Sequence, residues 1–264
     1  APANVVCALR KLNVPAAFVG CLGDDDFGRE FIKLFQQLHI NIDFLQIAKR
    51  ASTRIVKVIR DESGDRSFSG FEATKSNAFA DQMLDKLLII NNIKNLRKQF
   101  LNTKYLVTGT NLLAFSKSAE ALLFILDFAK NFKIKIIIDV NWREIFWENS
   151  NFNRDIQFKK VKNFLNHANI LKLASEEAYL FFDTNDPSEI SKVLTKRPDV
   201  IITDGANPIN WYLNGIKGSN EVIKHPFEII DTTGAGDAFL AGLISRYYFD
   251  SNLDNHSKIK ENIK

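Results

Sequence analysis

Three apolar runs set the tightest limit on what this chain can become. Residues 134–140, 170–173 and 199–203 are each nearly continuous in aliphatic side chains. A strand with one wet face alternates apolar and polar residues, whereas a strand that does not alternate is covered on both faces. Segments of helical period lie between and after these runs. In 116–132 the apolar face is Leu122, Ile125, Leu126 and Ala129, and Ser116 is placed to cap the helix. In 238–248 it is Phe239, Leu240, Leu243, Ile244 and Tyr247. Strand and helix patterns in alternation predict an α/β fold, a mostly parallel central sheet with helices on both faces.

Between residues 41 and 71 the period changes to two. Residues 43–47, 53–60 and 66–71 read as strands, with Asp61-Glu62-Ser63-Gly64-Asp65 as a hairpin turn. A β-only stretch inside an α/β chain is an excursion from the main sheet. The expected organisation is a core over 1–40, a small β lid over 41–75, and the rest of the core over 76–264. The exposed edge of such a lid suits a homodimer through lid-to-lid pairing. Residues 80–98 read as helical with a break near Asn91-Asn92, and 105–108 as a strand. Residues 209–213 and 222–224 read as a terminal hairpin.

Charge and composition remove several classes of function. The formal net charge is only +4, and the lysines are scattered among acids, which is a solvated face and not a nucleic-acid patch. No apolar run is long enough to cross a membrane. Cys7 and Cys21 are the only cysteines and both sit in apolar surroundings, which suits a reducing, cytoplasmic setting.

The chemistry concentrates in Asp231-Thr232-Thr233-Gly234-Ala235-Gly236-Asp237-Ala238-Phe239. Gly234, Ala235 and Gly236 fall where the last long helix begins. The first N–H groups of a helix lack partners inside it and carry the positive end of its dipole. With no large side chain in the way they can point at a phosphate. Asp237 lies in the first turn, where a carboxylate can take a proton from a hydroxyl beside that phosphate. An anion hole and a base together propose phosphoryl transfer. For the short pattern Gly-x-Gly-Asp alone, an ordinary Gly-rich cap with an acidic first turn stands as the alternative.

The full nine-residue string resembles the C-terminal signature of the ribokinase-like (PfkB) carbohydrate kinase family. The resemblance implies a three-layer ribokinase-like fold, Asp237 as catalytic base, and Gly234, Ala235 and Gly236 as the anion hole. Gly20, Gly23, Asp25 and Gly28 resemble the same family's N-terminal signature. The three acids at 24–26 can be read as a metal site, but Asp25 or Asp26 as the cap of the next helix explains them with less. Ala1-Pro2-Ala3-Asn4 is similar to the end of the family's Gly-Gly-x-Pro-Ala-Asn segment, which implies that Asn4 contacts sugar hydroxyls. The glycines and first strand expected before Ala1, and the Ala/Asn-rich helix expected after residue 250, are missing, which implies truncation at both ends.

Further matches extend the implied site. Asp139-Val140-Asn141-Trp142-Arg143 closes a buried strand, where open parallel sheets place their sites. It resembles the Asp-x-Asn-x-Arg segment of fructokinase-like members, implying Asn141 and Arg143 as substrate contacts. Asp139, Asn141 and Arg143 alternate and can share one side; an Arg143–Asp139 ion pair is the structural alternative. Arg66 on the lid is a further candidate for the sugar, with a plain solvated charge as its alternative. Glu177 matches the Glu of the family's Asn-x-x-Glu motif, which orders water around Mg2+; Ala174 replaces the Asn. Thr203 and Gly205, with Thr233, Gly234 and Gly236, are the implied nucleotide contacts, although Pro208 stands where relatives carry Gly. Asp231 is the implied neighbour of a monovalent cation such as K+.

The expected activity is therefore ATP-dependent phosphorylation of a sugar hydroxyl, on fructose or a related ketose, with ATP and Mg2+ as cofactors. A non-catalytic binding or scaffold relative and a nucleoside kinase of the same superfamily are the alternatives.

Overall fold

The computed structural model describes residues 1–60, 66–72, 78–147, 153–223 and 231–250, and at 58–60 and 66–69 the backbone alone. The chain begins α1 (Pro2–Lys11), β1 (Ala17–Gly23), α2 (Asp26–Gln37), β2 (Asn41–Ala48), β3 (Ile55–Arg60) and β4 (Arg66–Glu72). It continues α3 (Lys86–Asn91), α4 (Ile93–Leu101), β5 (Tyr105–Thr108), α5 (Ser116–Ala129), β6 (Lys135–Asp139), α6 (Arg154–Leu165) and β7 (Ile170–Ala174). It closes with α7 (Ser175–Phe182), α8 (Pro187–Val193), β8 (Asp199–Asp204), β9 (Asn207–Leu213), β10 (Ile216–Asn220) and α9 (Ala235–Phe249).

The central sheet runs β10-β9-β8-β7-β6-β5, parallel from β5 to β8 and antiparallel from β8 to β10. Its strands β6, β7 and β8 are buried on both faces, and the period of two sorts their side chains. Ile136, Ile138, Leu171, Leu173, Val200 and Ile202 pack with α5 to α8. Ile137, Ile170 and Ile201 face the other way, onto α1 and α9 through Val5, Leu9, Leu240 and Ile244. This second face and the carboxyl ends of the parallel strands frame the site. No helix among the described residues is long and apolar enough to cross a membrane.

Several expectations shift. Residues 41–48 were expected in the lid, but β2 pairs in parallel with β1 across the helix α2. The antiparallel excursion is the β3–β4 pair alone, and its turn, 61–65, lies outside the described residues. Of the expected 222–224, residues 222 and 223 lie in no strand and 224 lies outside the described residues; the terminal hairpin uses Ile216–Asn220 as its second strand. Its two-residue turn is Asn214-Gly215, both at positive φ (49° and 82°), the geometry that matches strand twist. Ser116 opens α5 but does not cap it; Phe115 holds the cap position, and the Ser118 hydroxyl donates to the Leu112 and Phe115 carbonyls.

Asp25 settles the acidic turn. Its Oδ1 accepts from Gly28 N at 2.8 Å and its Oδ2 from Thr53 N at 2.7 Å, so it caps α2 and ties the start of the lid to the core. Asp24 and Asp26 instead flank Arg29 as surface ion pairs.

Candidate active site

Gly234 caps α9 at φ +81°, a left-handed conformation that costs glycine little and most residues 1–2 kcal/mol. The turn before it is fixed by Asp231, whose Oδ1 accepts from Thr233 N at 2.8 Å and Thr233 Oγ1 at 2.6 Å. Ala235 N donates to Thr232 O at 3.1 Å, so this amide closes the turn. The anion hole is therefore narrower than the sequence implied: Gly234 N and Gly236 N donate to nothing among the described residues.

Asp237 is half-buried in the first turn of α9. Its Oδ2 accepts from Asn4 Nδ2 at 2.8 Å, a contact between residues 233 apart in sequence. Packing of α1 on α9 through Val5, Leu9, Leu240 and Ile244 makes this contact. The expected base and an expected sugar contact thus share one hydrogen bond, which leaves Oδ1 of Asp237 for a substrate.

The Asp139–Arg143 segment differs from its expected form. β6 ends at Asp139, and Asn141 has φ +41°, so the strand alternation that would put Asp139, Asn141 and Arg143 on one side does not continue. Asn tolerates this conformation better than most residues, and functional sites often hold such backbone. The structural alternative for Asp139 also fails in its detail. Its partner is Lys172, Nζ to Oδ1 at 2.9 Å, with both side chains under a tenth exposed. Burial pushes the Asp139 carboxyl above its ordinary range, against the pull of the Lys172 ammonium. Arg143 Nη1 donates to Trp142 O at 2.8 Å. The Asp237 carboxylate lies near enough to Asp139 to push its carboxyl further the same way, upward.

Glu177 is buried, and both of its oxygens are engaged. Oε1 accepts from Trp142 N at 2.6 Å and Oε2 from Ala174 N at 2.8 Å. The carboxylate therefore pins the Asn141–Arg143 loop to the junction of β7 and α7. Burial raises its pKa, and the two amide bonds oppose that rise. Among the described residues no three His, Cys, Asp or Glu side chains come together as a metal cage.

Thr203 and Gly205 stand one strand over, at the same end of the sheet; the Thr203 hydroxyl donates to Leu173 O at 3.3 Å, and Gly205 has φ +55°. Arg66 opens β4, and its side chain lies outside the described residues. Lys172 was missed by sequence reasoning. Its signal was present: one lysine interrupts the apolar run of a doubly covered strand.

Comparison with known proteins bears on the family and the fold. The family model for pfkB family carbohydrate kinases matches residues 1–256. Fructokinase-1 of Zea mays is 30% identical over 272 residues, which cover 100% of this chain and 78% of that protein. Probable fructokinase-5 of Arabidopsis thaliana is 28% identical over 267 residues, covering 99% of this chain and 77% of the relative. Among solved structures, fructokinase from Vibrio cholerae O395 in its fructose, ADP and calcium ion bound form has TM-score 0.80 at 25% identity, covering 99% of this chain and 80% of that one. Fructokinase with bound ATP from Xylella fastidiosa has TM-score 0.83 at 23% identity, covering 100% and 80%, and shares the fold.

Proposed function

The chain belongs to the pfkB family of carbohydrate kinases, and from that premise we propose that Asp237 and the start of α9 transfer the γ-phosphoryl group of ATP to a hydroxyl of fructose or a related ketose. One observation carries this: the Asn4–Asp237 hydrogen bond, which sets the expected sugar-binding amide against the expected base, next to helix amides that donate to nothing among the described residues.

The sugar hydroxyl lies against Oδ1 of Asp237 with Asn4, Asn141, Arg143 and Arg66 around the ring. Asp237 takes the hydroxyl proton as the oxygen attacks the γ-phosphorus; the bond to the β-phosphate oxygen breaks and ADP leaves. The amides of Gly234 and Gly236 face the charge that develops on the transferred group. Thr203, Gly205 and Thr233 border the nucleotide. A divalent cation, which we take to be Mg2+, screens the phosphates when bound; such a cation needs only one or two protein carboxylates besides the nucleotide. Each oxygen of Glu177 keeps a second lone pair, enough to order a water of that cation. Asp231, which fixes the turn before α9, is the neighbour of a monovalent cation such as K+, and lid-to-lid pairing along the β3–β4 edge would give a dimer.

The test is Asp237→Asn, assayed by ADP release with ATP and a panel of sugars. Loss of a general base predicts a fall in kcat of roughly 10²–10⁴, with sugar binding retained. Near-normal turnover in this variant removes Asp237 as the base. Nucleotide binding without turnover of any sugar by the wild type favours the scaffold alternative that Ala174 and Pro208 suggest.

A further inference from the structure

The amides and Asp237 leave one buried charge without a role. Lys172 sits in β7 on the face that Ile137, Ile170 and Ile201 fill with aliphatic side chains, and its own side chain is only 7% exposed. Asp139 shares that face, since it follows Ile137 by two residues in β6. A buried ion pair is weak evidence of stabilisation, because well-packed apolar residues of similar volume serve a core as well or better. Its position is more telling. A Cβ built on Gly236 would lie 3.3 Å from Lys172 Nζ, so the ammonium abuts the first turn of α9. That turn carries the positive end of the helix dipole. A cation beside it is unfavourable unless negative charge is near. Asp139 offsets one charge, and the carboxylates of Asp237, felt by Asp139, and of Glu177, which feels Lys172, add negative field. A transferred phosphoryl group at Gly234 and Gly236 would bring the anion that this arrangement of cation and dipole favours.

We propose that Lys172 is a positioning residue for phosphoryl transfer, holding a fixed positive charge behind the Gly236 end of the amide cradle, with Asp139 setting the place of its ammonium. The proposal rests on the kinase reading above. Gly236 is then glycine in part because any side chain there presses on the ammonium.

The alternative is that Lys172 merely neutralises Asp139, and the two make opposite predictions for paired variants. Lys172→Met keeps the length of the side chain and removes its charge. We expect kcat to fall about a hundred-fold, as for loss of one preorganised stabiliser, with sugar KM within three-fold of wild type. The double variant Asp139→Asn with Lys172→Met leaves no unpaired buried charge, and we expect it to stay equally slow. Lys172→Arg, which keeps the charge, should recover part of the loss. Recovery of kcat in the double variant, or a loss below three-fold in Lys172→Met, overturns the proposal. If the single variant does not fold, the double variant decides alone, by the same criterion. A second readout does not need sugar turnover. Wild type should bind a non-hydrolysable ATP analogue more tightly than ADP, and Lys172→Met should lose most of that difference; its survival in the variant refutes the role of Lys172. A wild type that binds nucleotide yet phosphorylates no sugar refutes the kinase reading instead, and the analogue comparison still judges Lys172.

Discussion

Arg54 joins the lid to the site, and replacing it should be costly in a calculable way. Its Nε and Nη2 donate to the two oxygens of Asp81, each at 3.0 Å, a bidentate fork. Its guanidinium also lies over three rings: Phe79 at 4.0 Å, Phe71 at 4.5 Å and Phe146 at 4.6 Å from the centroids. Phe71 belongs to β4, Phe79 to the bridge with Ser52, and Phe146 to the loop that follows Arg143. The Arg54 side chain is 8% exposed, but that of Asp81 is 33% exposed and can rehydrate when abandoned. Breaking a fully buried pair costs about 3–5 kcal/mol, so the wetter partner brings this to about 2. The ring contacts add about 1–2 kcal/mol, less than three separate cation–π terms because they share one cation. A leucine at this position returns about 1 kcal/mol of apolar burial. Arg54→Leu should therefore lower stability by about 2–3 kcal/mol, read as a shift of the urea midpoint at constant slope. Arg54→Lys keeps the charge but neither the fork nor the planar stack, and should fall between the two. A loss under about 0.5 kcal/mol in Arg54→Leu, or equality of Lys and Arg, would refute the account.

Two further perturbations test the frame around the site. Asp186 caps α8 by accepting from Ser188 N at 2.8 Å and pairs with Lys217 at 2.6 Å, and the bond from Lys217 leads the causes that hold its carboxyl far below the ordinary range. A depressed folded pKa adds stability that is present above the unfolded value near 3.8 and drains away as pH falls below it, so Asp186→Asn should flatten part of the acid loss in urea melts while keeping the cap; an unchanged pH profile would contradict this. Asn214→Ala should destabilise by about 1 kcal/mol, because alanine lacks the ease of asparagine at φ +49°; the result should appear as a lower melting temperature, and Asn214→Gly should not share it.

Local pattern made most of the fold legible, and its limits have a physical form. The buried strands β6, β7 and β8 announced themselves because double burial removes alternation, a property of each segment alone. The β2 strand was assigned to the lid because its period of two says nothing about its partner. The clue lay one level up: strand, helix, strand in β1, α2 and β2 is a crossover, and a crossover returns a strand in parallel. The Asn214-Gly215 turn also had a local mark, since Asn-Gly after a strand is a two-residue hairpin signal.

The site divides along the same line. The helix start that carries Gly234, Gly236 and Asp237 was readable because glycines, helix period and carboxylate are neighbours in sequence. What pairs across the fold was not. Arg54 meets Asp81 across 27 residues, Lys172 meets Asp139 across 33, and Asn4 meets Asp237 across 233. No local period encodes such meetings, yet each charge carried a mark. A lysine inside a run that must be buried on both faces is costly unless something answers it. In this chain the first answer is Asp139, and the nearness of Nζ to Gly236 makes a bound phosphoryl group the second. A polar residue that breaks an otherwise complete apolar pattern is therefore the place where sequence reading should expect the site to extend beyond its motif.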